Sequence, residues 1–534
     1  MAFRFFTLIL IFATLFGLLG LNLYRLQVKK TDYYVERALA RDGVAEAQIR
    51  RGQIFFTDKH GSAIPIALNR DYPFVYAVPK EIEDPGVAAR ILAPLVNEGD
   101  ERLEKDFSNK NNLYRLLIDK ASVNQVSEIK NSNLKGVYSA KKLYRFYPYG
   151  SLASHLLGFV GVNDENIFPT GLYGVEKIYN GDLFDGKDLN LTIDRNLQAQ
   201  SEEILKSLVE KFGASGGTII IEDPKTGKIL TLANVPDFDP SEYSKSPVNN
   251  FLNPAVSFVY EPGSVFKPIT MAAGIDSQSF TSGTTFYDSG SVTLNGKTIN
   301  NWNKKVYGKV TMTNVIEQSI NTGAVFAERL IGNEKFLNYL KNFGLGENSQ
   351  IDLPDEVFGS LRNLEKKRVE AIDFATASFG QGTAVTPIQM VNAFSVLANG
   401  GLLMRPYINN NLKPYVLRRV ISVEAARQVT EMMKSAVLKA QVASIPGYQI
   451  AGKTGTAQVP DFKQGGYTDE LIHTYIGFAP TSDPHFVILI KLDKPQADLA
   501  GGTVVPAFKE LAQFVLNYYN IAPDRLNENL ESRK

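Results

Sequence analysis

The pattern of hydrophobic and polar positions divides the chain into three regions. Phe5 to Tyr24 is almost uninterrupted by charge. Residues 26–190 mix turns with short strand-like runs, namely Phe74–Val78, Gly136–Tyr138 and Leu156–Val160. From Asp194 onward the regular runs are longer, and runs with helical spacing alternate with runs with strand spacing. At 534 residues, the chain is long enough for at least two domains with cores of their own.

The apolar run at the amino end predicts a membrane anchor over residues 5–24, preceded by a short cytoplasmic end, 1–4. About 20 helical residues at ~1.5 Å each cross a ~30 Å hydrocarbon layer. No convincing small-residue cleavage site follows, so we expect the anchor to be uncleaved. Basic residues are more numerous after the run than before it, which by itself places the large domain inside the cell. Long domains cross membranes largely regardless of such charge, so the pattern leaves the orientation open.

The second half of the chain predicts an α+β domain. Asp194 is a suitable N-cap for a helix over Leu197 to Phe212, and a hairpin follows over 217–234. A mostly helical middle continues to about residue 440 and includes a helix between Pro387 and Gly400. The remaining predicted elements are strands at 450–459, His473–Ala479 and His485–Leu492, a helix over Val504–Tyr519, and a polar, disordered end from Asp524 to Lys534. This order predicts an antiparallel sheet with helices on both faces.

Composition excludes several classes of function. A net charge of +1 argues against a nucleic-acid-binding protein. The absence of cysteine excludes disulfides, thiol nucleophiles and zinc–cysteine sites. The four histidines are scattered without metal-ligand spacing, which disfavours a metal hydrolase. We therefore expect no metal and no cofactor.

The first motif with chemical potential is Ser264-Val-Phe-Lys267. It follows a turn, Glu261 to Gly263, and opens an apolar run typical of a buried helix. Lysine three residues after serine lies on the same helix face, and burial favours its neutral form. A neutral Lys267 would take the proton of a nucleophilic Ser264. From these residues alone, an N-cap serine with a surface lysine remains an alternative.

The second motif, Ser319-Ile-Asn321, stands between two helical patterns, Thr311–Gln318 and Thr322–Leu330. Taken alone, it is more typical of a plain helix junction than of a catalytic motif. In the functional interpretation, Ser319 relays a proton and Asn321 holds a substrate amide.

The third motif is Lys453-Thr454-Gly455-Thr456, within a predicted strand. Gly455 would let a substrate backbone lie close. The hydroxyls of Thr454 and Thr456 would bind a carboxylate, with Lys453 adding positive charge. The backbone N–H groups of Ser264 and Thr456 are the expected oxyanion hole.

Each motif also occurs in a second copy that lacks such context. Serine with lysine three residues on recurs at Ser127, Ser132 and Ser139, and Ser122-Val-Asn124 repeats the second motif. All lie in a polar, lysine-rich stretch that predicts solvated surface. Lys225-Thr226-Gly227 repeats the third motif, but within the turn of the predicted hairpin.

The motif set resembles the class B penicillin-binding proteins, the monofunctional peptidoglycan transpeptidases. Further stretches are similar to signatures of that family: Arg51–Gly61, Tyr147–Gly161, Gly171–Glu176 and Phe379–Pro387. The resemblance covers about residues 45–520. It implies an elongated pedestal, or dimerisation-like, module at 26–190, a penicillin-binding and β-lactamase-like acyl-serine transferase domain at 191–520, and a polar tail at 521–534. After Leu183 the chain is shorter than in most members of the family.

The resemblance also implies an activity and partners. Ser264 would attack stem peptides ending in D-Ala-D-Ala, and β-lactams would acylate the same serine. A membrane glycosyltransferase or polymerase and division-complex proteins are the expected partners, together with the lipid bilayer through one helix. The catalytic domain would lie outside the cytoplasm. Glu261-Pro-Gly-Ser264 and Val78-Pro-Lys-Glu-Ile82 resemble the septal type.

Three alternatives remain open beside the septal transpeptidase. They are an elongation-type transpeptidase, a membrane-anchored β-lactamase or β-lactam sensor, and a non-catalytic division scaffold. The large module before residue 190 argues against a simple lactamase, and three intact motifs argue against a scaffold.

Overall fold

The protein consists of two compact units. The structure, a computed structural model, describes residues 2–25, 50–163, 166–461 and 465–525, with the backbone alone at 2–11, 13, 162–163 and 166–168. The smaller unit comprises Met1–Arg51, Leu68–Phe146 and Phe184–Gly186, and the larger unit comprises Gly52–Ala67, Tyr147–Leu183 and Lys187–Lys534.

Strands and helices alternate along the described chain. The strands are β1 Ile54–Thr57, β2 Ile64–Ala77, β3 Arg115–Ile118, β4 Val137–Phe146, β5 Val160–Asn163, β6 Asn166–Gly171, β7 Leu189–Asp194, β8 Gly216–Asp223, β9 Lys228–Val235, β10 Thr285–Asp288, β11 Ser291–Leu294, β12 Lys297–Asn300, β13 Gly308–Thr311, β14 Leu402–Met404, β15 Val416–Arg419, β16 Ala451–Pro460, β17 Tyr467–Ala479 and β18 Phe486–Asp493. The α-helices are α1 Ala2–Tyr24, α2 Pro85–Val96, α3 Asp100–Ser108, α4 Val123–Asn131, α5 Ser154–Leu157, α6 Gly174–Ile178, α7 Asn180–Phe184, α8 Arg195–Phe212, α9 Pro254–Ser257, α10 Lys267–Asp276, α11 Met312–Gln318, α12 Asn321–Ile331, α13 Asn333–Asn342, α14 Arg362–Glu365, α15 Ala371–Ala377, α16 Pro387–Ala398, α17 Val423–Ala440 and α18 Val504–Tyr518.

The smaller unit is an α+β module. The part of β2 from Leu68 onward pairs antiparallel with both β3 and β4. One face of this sheet shares a hydrophobic core with helices α2, α3 and α4, in which Val75, Leu92 and Phe107 are fully buried. Alternation along β2 places Val75 and Ala77 on that face.

The larger unit is built on a five-stranded antiparallel sheet in the order β16-β17-β18-β8-β9. On one face, α8 and α18 bury Leu205 and Phe508 against residues such as Ile488. On the other face, α10, α16 and α17 pack in a second core with Ile220 and Leu489. The predicted antiparallel sheet with helices on both faces is confirmed, and β16 lies at its edge.

Two helix starts in this unit are capped by side chains, and the cap at Asp194 is the one that the sequence predicts. The Asp194 carboxylate accepts from the backbone N–H groups of Asn196 and Leu197 and so caps α8. At α16, Thr386 and Gln389 form a reciprocal capping box, with Pro387 in the first turn.

Three segments differ from the expectation. Leu156–Val160 is not a strand: Ser154–Leu157 form a helical turn that ends at Gly158, whose φ is +70°. A short buried apolar run is too short for its periodicity to distinguish a strand from a helical turn. The helical middle also contains four short strands between Thr285 and Thr311, and β17 begins at Tyr467 rather than His473.

The two ends of the chain are described in part. Residues 2–24 form α1, and within the expected anchor the side chains of residues 5–11 and 13 lie outside the described residues. Within the part of the chain that the structure describes, no helix is both long and apolar enough to cross a membrane. At the other end, the Asp524 carboxylate accepts from Gln449 N and from the Ser482 hydroxyl. The first residue of the expected disordered tail is therefore ordered by hydrogen bonds. Residues 526–534 lie outside the described range.

An unusual acid lies in the larger core. Glu222 of β8 is fully buried beside Ser395 of α16. Burial raises the pKa of this carboxyl to about 8, and the Ser395 hydroxyl offsets only part of the effect. The group is therefore neutral in the folded protein at neutral pH.

Glu222→Gln is expected to be more stable than the wild type at alkaline pH. Since the folded pKa lies above the unfolded value near 4.5, wild-type stability is complete below pH 4.5 and falls as pH rises toward 8. The loss reaches roughly 5 kcal/mol at most, and the glutamine variant escapes it. Denaturant unfolding of both proteins from pH 4.5 to 9 measures this difference. A difference that does not change with pH would contradict the buried-acid assignment.

Candidate active site

The Ser264 motif opens a helix through a tight turn. Gly263–Phe266 form a 3₁₀ turn that runs directly into α10. Gly263 has φ +61°, and a Cβ there would lie 3.0 Å from the Cβ of Ala457 on β16. Glycine is therefore needed for both the backbone conformation and the close approach of β16. Ser264 is half-buried, while Val265 and Phe266, which follow it in the turn, are buried in the core.

Lys267 brings the first two motifs together. Its side chain has no solvent exposure, and Nζ lies 3.1 Å from Ser264 Oγ. The same amine contacts the backbone oxygen of Ser319 at 2.6 Å, Ser319 Oγ at 3.1 Å and Asn321 Oδ1 at 2.8 Å. Four oxygens thus surround one buried nitrogen.

The arrangement around Lys267 suits a neutral amine. The two shortest contacts, to Ser319 O and Asn321 Oδ1, are to atoms that only accept, so they take two N–H donors. A neutral amine has a lone pair left for the hydroxyl proton of Ser264. Burial, and after it the charge of Lys453, hold the pKa of Lys267 well below the ordinary lysine value. The geometry is that of a serine nucleophile beside its base.

Ser319 lies between two amines. It ends α11 in the left-handed conformation, with φ +55°. Its hydroxyl is 3.1 Å from Lys267 Nζ and 3.0 Å from Lys453 Nζ. This position permits a proton to pass between the two lysines and a group bound above them.

Asn321 is held at both ends of its amide. Nδ2 donates to the backbone oxygen of Asn300 at 2.9 Å, and Oδ1 accepts from Lys267. A backbone oxygen only accepts, so this contact fixes which end of the amide faces the lysine. The expected contact with a substrate amide would be made in addition to these two bonds.

The third motif forms the outer wall of the site. Lys453 of β16 is 4% exposed, and burial lowers its pKa to about 7. A Cβ at Gly455 would lie 2.9 Å from Pro262 O, so the strand runs directly against the nucleophile turn. Thr454 and Thr456 are half-buried on the other face of the strand, and Thr456 Oγ1 accepts from Ala500 N at 3.3 Å. Because β16 is an edge strand, its outer N–H groups are available to a bound substrate.

The second copies of the motifs do not take part in this cluster. Ser122 and Gln125 form the capping box of α4, so Ser122 serves a helix start. Lys225 lies in the β8–β9 turn and pairs with Asp483. Among the described residues, no group of three histidine or carboxylate side chains is placed to hold a metal ion.

Comparison with known proteins agrees with this geometry. The family described as the penicillin-binding protein transpeptidase domain matches residues 217–513, more than half of the chain. The family described as the penicillin-binding protein dimerisation domain matches residues 46–232.

The chain belongs to the penicillin-binding protein transpeptidases.

Individual relatives place it among the class B penicillin-binding proteins. Stage V sporulation protein D of Bacillus subtilis is 34% identical, and the match covers 85% of this chain and 76% of the relative. Peptidoglycan D,D-transpeptidase FtsI of Escherichia coli K12 is 29% identical over 94% of this chain and 89% of its own length. The crystal structure of penicillin-binding protein 3 of Mycobacterium tuberculosis superposes with a TM-score of 0.64 at 28% identity, covering 72% of this chain and 92% of that one.

This penicillin-binding protein also uses residues that the motifs did not indicate. The Phe379–Gly382 segment contacts the nucleophile turn, since Gly263 N donates to Gly380 O at 3.0 Å. Glu261 accepts from Gly382 N at 3.0 Å and from the Tyr467 hydroxyl at 2.9 Å, tying the turn to the start of β17. The resemblance had marked the Phe379–Gly382 segment, whereas nothing in the local sequence singles out Tyr467.

Proposed function

We propose that this protein is a peptidoglycan D,D-transpeptidase that cross-links stem peptides through an acyl-enzyme on Ser264. The observation that carries the proposal is the 3.1 Å contact between Ser264 Oγ and the buried amine of Lys267. The causes that lower the pKa of this amine are burial and a second lysine, so it is favoured as a base. Membership of the transpeptidase family supports the reaction class.

In acylation, Lys267 takes the hydroxyl proton as Ser264 Oγ attacks the carbonyl of the penultimate D-Ala. The N–H groups of Ser264 and Thr456 receive the developing oxyanion, where one donor is typically worth about a hundredfold to a thousandfold in rate. The amide bond then breaks, and a proton from Lys267 reaches the leaving nitrogen through Ser319, which contacts both lysines. D-Ala departs, and Ser264 carries the stem peptide as an ester.

In the second step, the amine of a neighbouring stem peptide attacks the ester. The amine loses a proton to the same relay, the new amide forms, and Ser264 Oγ regains its hydrogen. A β-lactam follows the first step only, since its leaving nitrogen stays tethered to the acyl group. The tethered group then occupies the place of the acceptor amine, so the ester on Ser264 persists.

The β-lactamase alternative requires a base that activates water for deacylation. Glu261 is the carboxylate closest to Ser264 in sequence, but its two oxygens accept from Gly382 N and from Tyr467. Burial raises the pKa of Glu261. These bonds give Glu261 a structural role between three segments, which favours the transpeptidase.

Lys453→Ala is expected to weaken capture of substrates that carry a carboxylate. The amine lies beside the Thr454 hydroxyl, where hydrogen bonds to a charged group contribute about 1.5–3 kcal/mol. Acylation by penicillin should therefore fall by roughly tenfold to a hundredfold. A neutral thioester should lose less, because Ser264 and Lys267 still make the bond. Equal loss with both compounds would contradict an anion subsite at Lys453.

The domain organisation and cellular placement follow the resemblance. Residues 5–24 anchor the protein in the cytoplasmic membrane, residues 26–190 form the pedestal, and residues 191–520 act outside the cytoplasm. The septal type is favoured by Glu261-Pro-Gly-Ser264 and by similarity to the protein named FtsI. Division-complex proteins and a membrane polymerase would dock on the anchor and pedestal. A fluorescent fusion should concentrate at the division site, and a uniform lateral distribution would contradict the septal assignment.

The purified protein is expected to cross-link glycan strands but not to make them. Given lipid-linked disaccharide-pentapeptide alone, it should yield no polymer, because the chain before residue 190 lacks the glycosyltransferase signature of bifunctional relatives. Addition of a polymerase should give cross-linked product, with release of one D-Ala per bond. Ser264→Ala with the same polymerase should give uncross-linked strands. Polymer formed by the pure protein would refute the monofunctional assignment.

A further inference from the structure

A fully buried polar cluster adjoins the Asn321 end of the site. Asp288, at the end of β10, has no exposure, and Asn301, directly after β12, is 1% exposed. Neither residue touches the nucleophile, and no motif includes them. Buried polar groups of this kind are retained where their hydrogen bonds fix a geometry.

Asn301 caps the helix that begins with Asn321. The residue at the N-cap position of α12 is Ile320, whose side chain offers no acceptor. Asn301 Oδ1 takes its place, accepting from Asn321 N at 3.1 Å and from Thr322 N at 3.3 Å. A cap supplied from another segment ties the start of α12 to the strand region.

Asp288 fixes the orientation of this cap. Its Oδ2 accepts from Asn301 Nδ2 at 2.9 Å and from Tyr307 N at 2.8 Å. Its Oδ1 accepts from Gly290 N and from the Thr322 hydroxyl. Because Asn301 Nδ2 is directed to the carboxylate, Oδ1 must face the helix.

The same segment sets the amide of Asn321. Asn300, next to the cap, presents the backbone oxygen that accepts from Asn321 Nδ2. That bond turns Asn321 Oδ1 toward Lys267, 2.8 Å away. The position of the base thus depends on a chain of bonds that starts at Asp288.

We propose that Asp288 and Asn301 are positioning residues for the proton transfer from Ser264 to Lys267. They act through the amide of Asn321, which directs one N–H of the amine away from the nucleophile and leaves the lone pair toward it. The inference rests on the proposed acyl-enzyme on Ser264. It predicts that loss of the cap slows bond formation without weakening the initial binding of a β-lactam.

The experiment is stopped-flow acylation by penicillin, which separates the limiting acylation rate from the half-saturating concentration. Asn301→Ala should lower the limiting rate about tenfold to a hundredfold, since small misplacements of reacting groups cost that much. The half-saturating concentration should stay the same. Asn303→Ala is the matched control, because Asn303 Nδ2 donates to the Tyr307 hydroxyl in the same segment and not to α12.

The protein supplies a local reporter for the same test. Trp302 is the single tryptophan of the chain, and its Nε1 donates to Gln318 O, one residue before Ser319. Its fluorescence should shift in Asn301→Ala and remain wild-type in Asn303→Ala. A paired test, Thr322→Val against Thr322→Ser, removes or keeps the hydroxyl bond to Asp288 and applies if Asn301→Ala does not fold. The valine variant should be slowed and the serine variant should not.

The outcomes separate the two proposals. If wild type forms no penicillin adduct, the acyl-enzyme itself is refuted. If wild type is acylated, the positioning role is overturned by any of three results: a normal limiting rate in Asn301→Ala, a loss confined to affinity, or an equal loss in Asn303→Ala. In the paired test, equal rates for the valine and serine variants would overturn it as well.

Discussion

Ser264→Ala will carry no penicillin adduct and will form no cross-links. The nucleophile turn places Ser264 Oγ 3.1 Å from the buried amine of Lys267, and alanine leaves no atom to form the ester. Removal of the nucleophile from serine enzymes costs on the order of a millionfold, so the activity should fall below detection. Mass spectrometry of the intact protein after incubation with penicillin measures the adduct directly.

The chain contains its own control for this result. Ser127 is also followed by lysine three residues later, but it sits on α4 and donates to Val123 O. Ser127→Ala should be labelled as fully as the wild type. Label that persists in Ser264→Ala, or that disappears in Ser127→Ala, would show that the nucleophile has been assigned to the wrong serine.

Lys267→Arg should be nearly as damaging as Lys267→Ala. A guanidinium cannot be deprotonated in a protein, so arginine keeps the charge and loses the base. General-base catalysis contributes typically a hundredfold to ten-thousandfold, and both variants should lose at least the lower figure. Lys267 is also fully buried, so a larger guanidinium would disturb the packing around it. The rate of acylation by penicillin under single-turnover conditions is the measurement.

A second buried lysine tests whether the loss of acylation in Lys267→Arg is due to removal of the base. Lys491 of β18 is 7% exposed and pairs with Asp493. Because that pair needs only a positive charge, Lys491→Arg should retain acylation. Substantial acylation of Lys267→Arg would contradict the neutral-amine mechanism, whatever the result for the alanine variant.

The local sequence was enough to place the three motifs on the correct elements. Apolar spacing and turn residues put Ser264 at the start of a buried helix, Ser319-Ile-Asn321 at a helix junction and Lys453 on a strand, as the structure has them. The caps at Asp194 and Thr386 are likewise local, since each side chain bonds to backbone two or three residues away. Spacing of this kind is set by the helix and strand periods themselves.

Local patterns failed where several structures satisfy the same pattern. Leu156–Val160 has the composition of a strand, yet tertiary packing makes its first part a buried helical turn. The short strands between Thr285 and Thr311 have four residues each, too few for a periodic pattern to predict them. In both cases the choice depends on neighbours distant in sequence.

By itself, the sequence determined the chemistry that the protein carries: a serine, two amines, an amide and an antiparallel scaffold, each from residue types at local spacing. Only the tertiary structure decided how these groups meet. It brought Lys453 to Ser319 across 134 positions and Asn301 to the start of α12 across 20. It also removed both lysines from water, which lowers their pKa values. Contacts and desolvation of this kind arise from packing between elements. The local sequence pattern of one element does not specify which other elements pack against it.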